Sequence, residues 1–315
     1  MMESKNTTLS VSSQRISLLS GGIIFVLVLL LAFSALGFLV TVWREDPGLS
    51  HGPILFLITG GLLWMKRSQL RTWESANPQG LVLLVLASLL LVGSVVADIA
   101  FLQPLSFFTI LLSGILFLGG REAFLLCLGP IGLLGFSIPW PTTLVSAISF
   151  PLQLFSSAYA ALFAGMLGMP IHRNGVEIFV TSESGDKVIY SIIVAQKCSG
   201  LTSLMVLLAF TYLIAYFTPV RWWGRLLMMS AVAPLALFGN AVRLTIILLV
   251  GGHYGAKPAQ WVHDNEQPIL IFLCSFGLLG LRALLMRWIP LGDSTAGIVT
   301  PELDETPDKT SEAEV

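Results

Sequence analysis

Four stretches of the chain carry side chains able to do chemistry. Cys198 lies in "VAQKCSGLTSLMVLLAF", behind Lys197 and ahead of Ser199 and Gly200, where a long apolar run begins. A thiol at a helix N-terminus meets the positive end of the helix dipole, and a neighbouring cation adds to it, so the thiolate is favoured. Gly200 lets another backbone come close. Arg243, in "APLALFGNAVRLTIILLVGG", falls inside an apolar run about seven residues before its end, roughly 10 Å of helical rise below the boundary. An ionisable group in hydrocarbon marks function by default. Snorkelling to the headgroups is the bland alternative; the depth of Arg243, and Asn240 three residues earlier on the same helix face, argue against it. His253 and His263 occupy the stretch "GGHYGAKPAQWVHDNEQP", read as a loop, with Asp264 placed either to orient His263 or simply to face water. His51, in "LSHGPILFLITGGLLW", reaches the same side, with an interfacial hydrogen bond and a substrate-binding role equally open; His172 reads as a surface residue. A nucleophile, an arginine and a histidine meeting at one membrane face would suit thiol-based acyl transfer. From the residues alone, both His253 and His263 remain in play. Cys127 and Cys274 sit within apolar runs and read as buried, inert thiols. Three cysteines do not suggest a disulfide framework, and no paired-ligand spacing calls for a metal. No cofactor is expected.

The elements that must position these residues are membrane helices. The 315-residue chain is 55% hydrophobic and 11% charged, against about 25% charged in soluble domains, and its mean hydropathy is +0.84. With 17 Lys+Arg against 18 Asp+Glu there is no basic surplus to attract nucleic acid. The pattern predicts an all-α polytopic membrane protein of about eight spans, near 18–42, 52–65, 79–97, 99–119, 122–139, 199–218, 226–250 and 268–289. The first run reads as a retained anchor. Residues 1–17 form a polar cytoplasmic tail, 18–289 the transmembrane catalytic domain, and 290–315 an acidic tail too poor in apolar residues to fold. Segment 141–169 is apolar but rich in Ser and Thr, with Pro151 inside it, and charge placement decides its reading. If it does not cross, Lys5, Arg15, Lys66, Arg67, Arg71, Arg121, Arg221, Arg225, Arg282, Arg287 and Lys309 share the inner side, leaving Arg44, Arg173, Lys187, Lys197 and Lys257 outside. If it crosses, that bias collapses. The segment is therefore expected to be interfacial or re-entrant. Residues 170–197 change character: "VEIFV" and "KVIYSIIVA" flank the turn signal "TSESGD", predicting a small extracytoplasmic β-hairpin that delivers the chain to Cys198.

These motifs resemble the exosortase/archaeosortase family of membrane transpeptidases. "LSHGPILFLITGGLLWMKR" is similar to the family's Ser-His-Gly opening of a helix that closes on a basic cluster. "FPLQLFSSAYAALFAGMLGMPIHRNGVEIFV" is similar to its Pro-Leu-Gln segment. "AQKCSGLTSLMVLLAF" carries the Cys-Ser-Gly-Leu signature, "GNAVRLTIILLVGGHYG" the Asn-x-x-Arg and Gly-His-Tyr-Gly pieces, and "WVHD" the His-Asp piece. Each alone is weak; five in order are specific. After His-Asp the family often has a small residue and Gly-Trp, where this chain reads "NEQP". The resemblance implies that Cys198 is the nucleophile, Arg243 the family's arginine and His263 the third catalytic position, with Asn240, His253, His51, Ser199, Gly200 and Asp264 supporting. It further implies a multi-pass protein of the inner or plasma membrane, with its site on the extracytoplasmic side. Its partners would be exported proteins ending in a short motif, a transmembrane helix and a basic tail, with membrane lipid or an envelope molecule as acceptor.

Two other classes fit the bare residues. A membrane acyltransferase acting on lipid or glycan would use Cys198 or His263 but alter no protein's C-terminus. A transporter or assembly subunit would use Arg243 to bind an anion, and there Cys198→Ala would be silent.

Overall fold

The computed structural model of the chain describes residues 28, 33–71, 77–182, 184–195, 200–265 and 267–288. Both predicted tails lie outside these residues. The fold is mostly helical: α1 (33–45), α2 (Gly52–Met65), α3 (Pro78–Val96), α4 (Leu102–Gly132), α5 (Thr142–Met166), α6 (Leu201–Phe217), α7 (Trp222–Tyr254), α8 (Ala256–Asn265) and α9 (Gln267–Trp288). Between α5 and α6 stand three short strands, β1 (Ile171–Asn174), β2 (Glu177–Thr181) and β3 (Val188–Ile193). Among the described residues, five helical segments are long and apolar enough to cross a bilayer: Pro47–Met65, Pro78–Val96, Leu102–Ser137, Thr142–Met166 and Trp222–Tyr254.

The 36-residue stretch Leu102–Ser137 would rise about 54 Å, too far for one pass of a ~30 Å core. It is broken at Gly120, whose φ of 74° and ψ of −173° leave the helix. Only glycine adopts that backbone without strain. The part before the break runs antiparallel to α3, with the Asn77 amide on the Phe117 carbonyl at one end and the Leu102 amide on the Ile99 carbonyl at the other. The part after it returns along α2: Thr59 Oγ1 donates to the Pro130 carbonyl and the His51 ring bonds the Phe136 carbonyl. The two predicted spans 99–119 and 122–139 are thus two legs of one broken helix.

Segment 141–169 narrows the expectation of an interfacial or re-entrant stretch. It contains a single 25-residue helix, α5, with no reversal to make it re-entrant. Its hydroxyls read as polarity in the sequence, but they are its packing surface. The buried positions of α5 are Ser149, Ser156, Ser157, Ala160 and Ala164, small residues that let it close on the Gly239–Ala241 stretch of α7. Ser149 and Ser157 satisfy their hydroxyls on carbonyls of their own helix, at Ser146 and Leu154.

The expected hairpin is a three-stranded antiparallel sheet in the order β1-β2-β3. β1 reads "IHRN", without the apolar alternation that marks a strand, and it pairs because Gly175 (φ 60°) turns it onto β2. The sheet docks on the end of α7 where two glycines stand. A Cβ on Gly251 would enter the Tyr190 ring, and one on Gly252 would meet Met169 and Val180. Beneath the sheet, Ile178, Val180, Leu244, Ile247, Leu248 and Ala259 form a buried core.

Residues 251–265, expected as a loop, are helical apart from one joint. Gly255 (φ 86°) ends α7, and α8 follows at once, with Pro258 in its first turn where a missing N–H costs no hydrogen bond.

The bundle has two unlike ends. At one, Lys66 Nζ lies 5.3 Å from the Tyr216 ring centroid and Arg282 Nε donates to Thr218 Oγ1 (3.0 Å). Arg67, Arg121, Arg221, Arg225 and Arg287 belong to the same end by their places at helix termini and at the Gly120 break. At the other, Trp43 Nε1 donates to the Ser137 carbonyl (2.8 Å), its indole lying where a Cβ on Gly52 would be. A Cβ on Gly48 would lie 3.6 Å from Thr202 Oγ1, so α6 also begins at this end. The chain from Ser137 to Leu201, including α5 and the sheet, therefore departs from and returns to the end opposite Lys66.

Candidate active site

Arg243 is 5% exposed, held inside the bundle by α7 between Asn240 and the Leu244–Leu248 core. Its partner comes from α8. From Arg243 to Tyr254 the helix climbs about 16 Å, and after the Gly255 joint α8 descends about 10 Å to His263. The long arginine side chain closes the difference, with Nη2 and His263 Nδ1 3.1 Å apart. A guanidinium has only donors, so Nδ1 is the acceptor and the imidazole proton sits on Nε2. Burial disfavours the imidazolium most, and the Arg243 charge adds to it. Asp264 opposes both more weakly, and the His263 pKa lies below the ordinary histidine value.

One turn down α7, fully buried Asn240 donates from Nδ2 to Ser156 Oγ of α5 (2.9 Å). Gly200 presses on the other side of this asparagine. A Cβ there would lie 3.1 Å from Asn240 Cβ, and the φ of 84° at Gly200 is itself a glycine conformation. Asn240 thus ties α5, α7 and the start of α6 together at the level of Arg243. Thr245 extends the seam, its hydroxyl on the carbonyls of Ala241 (2.8 Å) and Ala160 (3.5 Å).

Of the residues singled out in the sequence, the structure brings together Arg243, His263, Asn240 and Gly200. Cys198 and Ser199 lie outside the described residues. His253 is exposed, its Nδ1 on the Leu249 carbonyl of its own helix (3.1 Å), and it stands about 15 Å of rise beyond Arg243. Asp264 does not clasp the His263 ring; it is exposed and accepts from Gln260 Nε2 (3.0 Å). His51 stands at the start of α2 with its Nε2 on the Phe136 carbonyl (3.1 Å), next to Trp43 rather than Arg243. Cys127 and Cys274 are buried free thiols. Ser156 and Thr245 went unremarked in the sequence. Their only signal was a hydroxyl recurring on the small-residue face of α5 and one turn beyond Arg243.

An apolar groove of about 410 Å³ between α5 and α7 runs past this level, lined by Phe163, Met166, Phe238, Val242 and Ile246. A larger cavity, about 840 Å³, opens at the opposite, Lys66 end and plays no part in this geometry.

The family model of the transmembrane exosortases matches residues 43–281, well over half of the chain. No curated protein and no solved structure matches it.

Proposed function

The chain belongs to the transmembrane exosortase family, and from that premise we propose that it is a membrane-embedded cysteine transpeptidase. It cleaves the C-terminal sorting signal of exported proteins and passes the product to an amine or to water. One observation carries this reading. Buried Arg243 and half-buried His263 form a pair one helical turn from Asn240, and Gly200, the second residue after Cys198, is packed on that asparagine. Two residues of chain reach at most about 7 Å, which lets Cys198 serve the pair in this reading.

The tautomer sets the order of events. In the resting site Arg243 occupies His263 Nδ1. As the Cys198 thiol adds to the scissile carbonyl, the guanidinium turns its donor to the developing oxyanion, where a charged donor counts most. Nδ1, now vacant, takes the thiol proton. The tetrahedral species collapses to an acyl-thioester, the C–N bond breaks, and the imidazolium returns the proton to the leaving amine. An acceptor amine or water then loses its proton to the imidazole, attacks the thioester and releases Cys198. The groove between α5 and α7 gives the substrate's own helix a lipid-facing surface to pack on, so its search for the site is two-dimensional. Membrane lipid or an envelope amine is the acceptor class.

The cations gathered at the other end support a site on the extracytoplasmic face of the cell membrane, by the tendency of cytoplasmic loops to hold Lys and Arg.

The test co-expresses the chain with an exported protein ending in a short motif, an apolar helix and a basic tail, and reads cleavage as a size shift. Cys198→Ala is expected to lower the rate by about three orders of magnitude or more, and Arg243→Gln by about 10²–10³. His263→Ala is expected to slow cleavage by about 10²–10⁴ with no build-up of a hydroxylamine-sensitive adduct, because the same imidazole serves acylation, while His253→Ala stays near wild type. Wild-type cleavage by Cys198→Ala would end the thioester scheme.

A further inference from the structure

The cavity of about 840 Å³ at the Lys66 end lies where α2, α4, α6 and α7 meet, far from the Arg243–His263 pair. Its walls are Leu125, Leu126, Leu226 and Met229, and its polar groups are Lys66, Arg225, Tyr212, Tyr216 and Glu122. Lys66 is 8% exposed, a cation held inside the bundle with its ammonium over the Tyr216 ring. Arg225 Nε and Tyr216 Oη are buried and have no hydrogen-bond partner among the described residues. Buried donors of this kind are nearly always satisfied, and a charged one left alone is costly. Glu122, the acid on the wall, is exposed at the rim. The interior is therefore a set of donors carrying two positive charges, enclosed by aliphatic side chains.

The depth of the cavity identifies the occupant. Trp222, on its wall, is 73% exposed, and Trp223 follows it, with Arg221 before them. Exposed tryptophans beside arginines mark the headgroup layer of a bilayer. A ligand at that depth that supplies acceptors and negative charge to Lys66, Arg225 and Tyr216, and apolar chain to the leucines, is an anionic lipid. We propose that this cavity is a binding site for one phospholipid with a monoanionic phosphodiester headgroup. Its phosphate lies between Lys66 and Arg225, and an acyl chain lies along α4 and α7.

The experiment uses the full-length protein in detergent, with phosphatidylglycerol and phosphatidylcholine of identical acyl chains, and with inorganic phosphate alone. Native mass spectrometry should show one phosphatidylglycerol retained per chain and phosphatidylcholine retained at least about tenfold more weakly, the difference expected for charge-assisted hydrogen bonds. Phosphatidylglycerol alone should raise Tm. Lys66→Gln with Arg225→Gln should lose the preference, whereas Arg221→Gln, exposed at the same end, should keep it. Because the double variant removes two buried groups, Glu122→Gln gives an independent reading: deleting the rim acid should tighten phosphatidylglycerol binding several-fold. Equal retention of the two lipids, equal loss in Arg221→Gln, no gain in Glu122→Gln, or a full effect of inorganic phosphate alone would each overturn the proposal.

Discussion

A histidine whose Nδ1 accepts from a buried arginine is committed to the neutral state, and this fixes how the site answers to pH. In the unfolded chain His263 titrates near 6.5; in the folded protein burial, with the Arg243 charge added, holds its pKa lower. Between the two values the unfolded chain binds the extra proton, so stability is full above about pH 6.5 and falls as pH drops through the folded value. Thermal unfolding followed from neutral to mildly acidic pH should show this loss in wild type, and His263→Gln should flatten it. If the two proteins lose Tm in parallel, His263 is not the half-buried neutral base described above. The lowered pKa should also carry the acid limb of cleavage activity below the ordinary histidine range, read as a pH–rate profile. Arg243 and Asn240 were legible in the sequence because a charge and an amide in an apolar run are costly unless used. The choice between His253 and His263 was not. Both follow the same helix, and only the reversal at Gly255 returns one of them to Arg243.

At the scale of elements, the glycines do what apolar periodicity cannot announce. Gly251 has the Tyr190 ring where its side chain would be, so the sheet can sit on α7 only if that position has no Cβ. Gly251→Ala should cost about 1–3 kcal/mol, the usual price of overpacking, read as a fall in denaturation midpoint. Tyr190→Leu combined with it should recover most of the loss, since the clash is with the ring. A midpoint for Gly251→Ala unchanged from wild type would mean the sheet does not press on α7 there. Gly200→Ala should be harsher, because it meets both the left-handed backbone and Asn240, and no single partner change relieves it. The span-length helices Pro47–Met65, Pro78–Val96, Leu102–Ser137 and Trp222–Tyr254 were legible from hydropathy, the third as the two legs of α4, whose joint is marked by the Gly-Gly-Arg-Glu sequence at 119–122. β1 and α8 were not legible. A strand of His, Arg and Asn and a short polar helix have no core-facing pattern of their own: β1 exists because it pairs with β2 and packs on α5, and α8 because it docks on α7.

For the whole molecule, counting helices and assigning sides are separate problems. Charge placement required the chain between Ser137 and Gly200 to begin and end on one side, and reading its hydroxyls as polarity turned that requirement into an interfacial or re-entrant segment. The structure has one 25-residue helix there, long and apolar enough to cross a bilayer, yet the chain still returns to the end it left, because Ser137 lies beside Trp43 and Thr202 beside the same α1–α2 connection. The side assignment can be tested directly. In a Cys198→Ala background, in which the remaining cysteines Cys127 and Cys274 are buried, a single cysteine is placed at Lys187 before β3 or at Arg67 after α2. A membrane-impermeant maleimide applied to intact cells should label Lys187→Cys and leave Arg67→Cys untouched until the membrane is opened. The reverse pattern would turn the Arg243–His263 pair toward the cytoplasm, where a protein already exported could present no scissile bond, and the proposed reaction would lose its substrate.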